Sequence, residues 1–218
     1  MAPSWAGYRL TVERPRAAAA NMARDEELFA AFRRGAAPPT WRLYTWDRPA
    51  VSVGHFVAPP APPPGWPEDV PLVSRITGGG FVPHGADFTY CVARERRSGY
   101  DNYEDIVGAV AAALREMGAR GAAVWRGEPR GRDGYCFASL APFDIHVGGR
   151  KLAGCAQRRT RDGVLHQGSI AAAAVPPVLI GINLVDERNT VTLEELIGRR
   201  VSLAAFGAAL SEISPLDY

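Results

Sequence analysis

The run SRITGGGFVPHGADFTY, residues 74–90, places three consecutive glycines between a strand-like segment and a histidine. A strand interior disfavours glycine, which costs backbone entropy and packs nothing. Gly78, Gly79 and Gly80 therefore mark positive φ angles or a point where another group approaches the backbone closely. Nucleotide-loop patterns do not fit: Phe81 to His84 follow the glycines where a P-loop needs Lys and Ser or Thr, and the G-x-G-x-x-G spacing is absent. Taken alone, the glycines and His84 read as a turn beside a structural histidine. The flanks are strand-like on both sides, PLVSRIT before and the alternating DFTYCVAR after.

Further out, Tyr8 to Glu13 alternates as a short strand, and AAAANMARDEELFAAFRRG supplies helix formers before a glycine stop. The runs WRLYTW (41–46) and AVSVGHF (50–56), separated by the turn-prone Asp47-Arg48-Pro49, predict a hairpin. APPAPPPGWP from Ala58 reads as a surface connection with polyproline character, not a domain boundary, because strand signals resume directly after it. Tyr103 to Met117 carries Ile106, Val110, Leu114 and Met117 at helical spacing, a core stripe. AAVWR predicts a strand, GEPRGRDG a loop, and two long β-prone runs surround GGRKLAG and GVLHQGS. Thr192-Leu-Glu-Glu opens a short helix as a capping box, and Ser202 to Ile213 forms another. The sum is an α+β fold: a single domain with a mixed, mostly antiparallel sheet packed with helices.

Composition narrows the function classes. Lys+Arg 25 against Asp+Glu 23 leaves a formal charge of +2, which makes no demand for a nucleic-acid partner, and no segment approaches the length of a membrane span. Cys91, Cys136 and Cys155 are too few and too scattered for a disulfide framework, and no pair has zinc-ligand spacing, so no metal site and a cytoplasmic setting are expected. Lys151 is the single lysine of the chain. By default it is a solvated cation, and Cys136 by default an inert thiol, since reactivity needs a nearby base or positive charge.

Combination and order change those defaults. RITGGGFVPHGADFTY (75–90), GRKLAGCAQRR (149–159) and GVLHQGSI (163–170) resemble, in order, the R-x-T-G-G-G-x-V-x-H-x-x-D-x-T-Y, G-R-K-[IV]-[AS]-G-S-A-Q and Q-H-G-[ST]-[IL] motifs of the biotin/lipoate protein ligase family. Upstream, Asn21-Met22-Ala23-Arg24-Asp25-Glu26 is similar to its N-M-A-x-D-E helix, and Arg42 to Trp46 with Ser52-Val53-Gly54 to its R-x-Y-x-W and S-x-G strands. The likeness runs collinearly over residues 8–175. It implies a class II biotin/lipoate ligase-like catalytic domain in which the glycine loop lies along an acyl chain and its activated carbonyl. By the same resemblance Lys151 is catalytic, and Arg75, Thr77, Gly78, Gly79, Gly80, Phe81, His84 and Asp87 bind substrate. Gly154, Ala156, Gln157, His166, Gln167 and Gly168 join them from the two later motifs.

Two branches differ in how the acyl group is activated. Cys136-Phe137-Ala138-Ser139 through Phe143-Asp144-Ile145 to Lys151 resembles, without a gap, the corresponding segment of LipM-type octanoyltransferases and puts Cys136 at their nucleophile. That reading implies octanoyl-acyl carrier protein as donor, the lysine of a lipoyl carrier domain as acceptor, no cofactor, and a monomer. The alternative is a lipoate-protein ligase using ATP and Mg through lipoyl-AMP, one that can call on a separate accessory subunit, because 218 residues are expected to form one catalytic domain without the accessory C-terminal domain of many ligases. A catalytically divergent binding homologue is the third reading, favoured by His166-Gln167 standing where the family has Gln-His. Phe81 replaces a small residue after the glycines, and its ring is expected to line and shorten the acyl tunnel. Cys155 stands where the family has Ser and is read as a small packing residue.

Overall fold

The computed structural model describes residues 5–57, 62, 65–97, 101–131, 139–180, 182, 184–186 and 188–213. In chain order the elements are β1 (Arg9–Val12), α1 (Ala18–Arg33), β2 (Thr40–Tyr44), β3 (Ala50–Gly54), β4 (Leu72–Arg75), β5 (Val82–His84), β6 (Asp87–Arg94), α2 (Asp101–Glu116) and β7 (Ala123–Val124). There follow β8 (Arg130–Gly131), β9 (Ser139–Leu140), β10 (Ile145–Val147), β11 (Arg150–Arg159), β12 (Val164–Ala171), α3 (Pro177–Ile180), α4 (Leu193–Ile197) and α5 (Leu203–Ile213). A seven-stranded sheet has the order β1-β2-β6-β12-β11-β10-β7, a three-stranded sheet the order β4-β3-β5, and β8 pairs with β9. Among the strand pairs of the described residues, only β1 with β2 and β3 with β4 run parallel, so the mixed, mostly antiparallel α+β reading holds, distributed over more than one sheet.

Alternation of side chains along a strand explains why the large sheet is sandwiched. Trp41, Leu43, Tyr90, Val92 and Ile170 join the core formed with Ile106, Val110 and Leu114 of α2 and Phe206 and Leu210 of α5. Their neighbours Tyr44, Cys91, Ala93 and Leu165 pack instead with Ala18, Met22 and Phe29 of α1. Strands buried on both faces lose the clean polar alternation of an exposed sheet, and β2, β6 and β12 are buried at every position. At α4 the Thr192 hydroxyl accepts from the Glu195 N–H, as the capping box predicts.

The hairpin expected over residues 41–56 does not form. β2 enters the large sheet between β1 and β6, whereas β3 is the centre of the small sheet, between β4 and β5. The Asp47-Arg48-Pro49 segment thus carries the chain from one sheet to another. β3 has all five residues buried, and the hydrogen-bonding edges it needs are supplied by strands that occur later in the sequence. AAVWR contributes only the two residues of β7. The proline-rich run lies largely outside the described residues.

The glycine loop folds back on the end of β3. The Gly54 N–H donates to the Gly79 carbonyl at 3.1 Å and the His55 N–H to the Thr77 carbonyl at 2.9 Å. Gly79 takes a φ of 93°. A Cβ on Gly54 would lie 2.1 Å from the Gly79 oxygen, backbone against backbone with no flexible atom to give way. Gly54→Ala is therefore expected to destabilise the fold by about 1–3 kcal/mol, lowering the melting temperature by several degrees, as a thermal melt would read. An unchanged melting temperature would mean that the loop is not held against β3.

Candidate active site

The small sheet and the α1 face of the large sheet enclose a cavity of about 250 Å³, close to the lower end of the usual range for ligand pockets, about 300–1,000 Å³. Its wall contains Gly79 and Gly80, Arg75, His84, Lys151, Gly154, Ala156, Gln167 and Gly168. Nine of the positions singled out in the sequence, from three separate motifs, thus converge on one concavity.

Lys151 is not a surface cation. It is 3% exposed, and its ammonium donates to Asp144 Oδ2 at 2.7 Å. The same carboxylate oxygen accepts from the Ala141 N–H at 2.7 Å. Burial pushes the Asp144 carboxyl above its ordinary pKa, against the pull of the Lys151 charge and of hydrogen bonds from Lys151, Ala141 and Cys155. Gly154 makes room for the pair: a Cβ there would stand 2.8 Å from both Cε and Nζ of Lys151. The residue before Asp144, Phe143, has a φ of 72°, left-handed and rare for a side chain of its size. Its ring stacks on Tyr103 with centroids 4.8 Å apart, and its N–H donates to the Trp125 carbonyl at 3.0 Å.

The early motifs serve as the frame. Asp25 of α1 accepts from Arg42 at 2.6 Å through Oδ1, and from the Tyr44 hydroxyl at 2.8 Å and the Gln167 amide at 2.6 Å through Oδ2. Gln167 Oε1 accepts from the Thr77 hydroxyl at 2.6 Å, so one amide ties α1, β12 and the glycine loop together. Arg75 spans the loop from the other side, donating to the carbonyls of Gly78 at 2.8 Å and Gly80 at 2.9 Å. Glycines give this loop its path, and a buried guanidinium fixes it.

Thr77, Gly78, Phe81, Asp87, Gln157 and His166 do not line this cavity. Thr77 and Gly78 act through the bonds just described. Phe81 packs beside Val51, Val70, Leu179 and Leu184 in a separate cluster, so its position does not match the expectation of a ring lining the tunnel. Asp87 lies behind His84, in the wall of a second cavity of about 590 Å³ that shares His84 with the first. Cys136 falls outside the described residues. Sequence reasoning gave no site role to Asp144, Ser52, Trp46, Thr89 or Ser169, all in the cavity wall, nor to Cys155, which also reaches it.

His166 is the clearest displacement. Gln167 is in phase with Leu165 and Ser169 on the cavity face of β12, and His166 points to the opposite face. There its Nδ1 accepts from Gln157 Nε2 at 2.8 Å, the amide being oriented by Arg159 donating to its Oε1, and its Nε2 lies 3.3 Å from the Tyr90 hydroxyl. Burial, helped by the Arg94 charge, lowers the His166 pKa to about 3. A histidine neutral when folded and protonated when unfolded stabilises the fold above its unfolded pKa, and that stability is lost as pH falls from about 6.5 toward 3, at about 1.4 kcal/mol per unit. Relative to a His166→Gln variant, the unsubstituted protein should lose about 2 kcal/mol between pH 7 and pH 5 in urea unfolding. Parallel pH profiles for the two would contradict a buried neutral imidazole.

Among the described residues, no group of three or more His, Cys, Asp or Glu is placed to hold a metal ion, and no helix is long and apolar enough to cross a membrane.

The sequence and the fold have known counterparts. The family described as "Lipoyl protein ligase A/B catalytic domain" matches residues 17–212. The octanoyltransferase LipM of Symbiobacterium thermophilum is 34% identical over 217 residues, covering 84% of this chain and 76% of that one. The octanoyltransferase LipM of Moorella thermoacetica is 35% identical over 213 residues, covering 83% and 75%. Among solved structures, protein Ta0514 of T. acidophilum superposes with a TM-score of 0.72 over 97% of this chain and 87% of that one at 21% identity, a likeness of fold.

Proposed function

The chain belongs to the lipoyl protein ligase A/B catalytic domain family, and we propose that it is an acyltransferase that moves an octanoyl group from acyl carrier protein to the lysine amine of a lipoyl carrier domain, through a thioester on Cys136. The observation that carries the reading is the buried Lys151 ammonium, held by Asp144 in the wall of a cavity that Gly79 and Gly80 also line. An acyl chain needs a narrow pocket without obstructing Cβ atoms, and Gly79 and Gly80 provide that wall.

Acyl transfer from a thioester to an amine passes through a tetrahedral intermediate with negative charge on the former carbonyl oxygen. A preorganised cation in a water-poor site stabilises that charge far more than it would in water. Lys151 fills this role, and Asp144 keeps its ammonium fixed, so that little reorganisation is needed when the charge develops. Gly154 preserves the space in which the ammonium sits. Ser139, which lines the cavity, follows Cys136 by three residues, at most about 11 Å of extended chain, which supports a thioester within reach of Lys151. The low cysteine content supports a cytoplasmic setting.

The test supplies octanoyl-acyl carrier protein and an apo lipoyl domain without ATP and follows the mass of the lipoyl domain. Gain of one octanoyl group is the expected result. If modification instead requires ATP with free lipoate or octanoate, the activation route is adenylation and the chain works as a lipoate-protein ligase.

A further inference from the structure

Ser52, His84 and Asp87 form a buried chain of hydrogen bonds that acyl transfer through Cys136 leaves unused. Ser52 Oγ is 2.8 Å from His84 Nε2, and His84 Nδ1 is 2.8 Å from Asp87 Oδ2. The three residues are 2%, 4% and 7% exposed, and both Ser52 and His84 line the acyl cavity. Trp46 stacks on the imidazole at a centroid distance of 3.8 Å and fixes its plane.

The direction of each proton follows from the partners. Asp87 accepts from the Gly85 N–H at 3.0 Å, and from the Thr89 and Ser169 hydroxyls at 2.8 Å each, so it is surrounded by donors. With donors around it Asp87 acts as an acceptor, so in the neutral form of the His84 ring the proton sits on Nδ1, which leaves Nε2 as a bare acceptor facing Ser52. The Ser52 proton must then point at His84. Arg75 donates to Ser52 Oγ at 3.0 Å, which occupies one lone pair, favours negative charge on the oxygen and leaves the second lone pair available.

A serine hydroxyl with its proton committed to an imidazole, itself oriented by a buried carboxylate, is the arrangement of nucleophile, base and orienting group found in serine hydrolases. We propose that Ser52, His84 and Asp87 give this protein a second activity, hydrolysis of medium-chain acyl thioesters and activated acyl esters to the free acid. In the first step the Ser52 oxygen bonds to the acyl carbon, its proton passes to His84 Nε2, and the bond from carbon to the leaving sulfur or oxygen breaks, with that atom taking the proton from His84. In the second step water attacks the acyl-serine and gives a proton to His84. The ester bond then breaks, Ser52 recovers the proton, and the carboxylic acid leaves. Lys151 and Arg75 line the same cavity as cations for the oxygen that becomes negative in both steps. The substrate class rests on the acyl-cavity reading given above, while the relay itself does not depend on Cys136.

The experiment treats the unsubstituted protein with a fluorophosphonate bearing an octyl chain and maps the adduct by peptide mass spectrometry. In parallel, 4-nitrophenyl octanoate hydrolysis is followed in a Cys136→Ala background. The expected results are one adduct, on Ser52, and nitrophenol release that falls at least about 100-fold when Ser52→Ala or His84→Gln is added. The adduct on unsubstituted protein does not depend on any variant folding. Absence of label from Ser52, or hydrolysis indifferent to Ser52→Ala, overturns the proposal. If Ser52 stays unlabelled while the lipoyl domain is octanoylated normally, the hydrolase inference falls alone. If neither reaction occurs, the acyl-cavity reading falls with it.

Discussion

Lys151→Ala is expected to lower octanoyl transfer to the lipoyl domain at least about 100-fold, the scale on which removal of a charge-stabilising donor acts. It should also cost stability. Asp144 would remain buried without its ammonium, and breaking one side of a buried ion pair costs about 3–5 kcal/mol. The two effects separate in a double variant, Lys151→Met with Asp144→Asn. A neutral amide can still accept from the Ala141 N–H, so unfolding in urea should return close to that of the unsubstituted protein, while transfer stays lost. Lys151→Arg tests the shape of the cation: the pocket was left open for a slim ammonium by the missing side chain at Gly154, and a planar guanidinium should support only a small fraction of the rate. Transfer at the normal rate in Lys151→Ala would remove this residue from the chemistry.

The second large effect concerns Cys136. A free carboxylate does not acylate an amine, so the acyl group must arrive as a thioester or a mixed anhydride, and these two routes make opposite demands on a cysteine. With octanoyl-acyl carrier protein and no ATP, the intact mass of the unsubstituted protein should show one octanoyl group, discharged when apo lipoyl domain is added. Cys136→Ala should show no stable adduct and transfer at least about 100-fold less. Equal modification of the lipoyl domain by Cys136→Ala in the presence of ATP and lipoate would replace the thioester route by adenylation.

The fold was readable where one element satisfies its own pattern. The helical stripe Ile106, Val110 and Leu114 is fully buried in α2, and the alternating DFTYCVAR is β6. The expected hairpin at 41–56 failed because a turn of Asp, Arg and Pro specifies a change of direction, not the strands to be joined. The partners of β3 were set by edges 21 to 34 positions further on. The glycines, His84 and Lys151 were legible as a group through the order of the motifs, but Asp144 was not, since one aspartate in a loop is ordinary and nothing in the sequence announces a left-handed Phe143 before it. The order His166-Gln167 carried its meaning in strand phase: the residue aligned with Leu165 and Ser169 faces the cavity, and that residue is the glutamine.

The pairing of β6 with β12 bears on how the molecule acquires its shape during synthesis. These central neighbours are joined in register from Asp87 opposite Ala171 to Arg94 opposite Val164, with α2, four short strands and the ten-residue β11 between them in the chain. Closing so long a segment costs chain entropy before any contact repays it, which favours slow, late completion. Met22, His84, Lys151 and Ser169 border one cavity, so no fragment emerging from the ribosome ahead of β12 holds a complete acyl site. At about 5–20 residues per second, the nascent chain spends several seconds or more with β6 lacking its inner neighbour. The buried carboxylates Asp25 and Asp87 meet their full set of partners only when Gln167 and Ser169 arrive, which couples assembly of the site to closure of the large sheet.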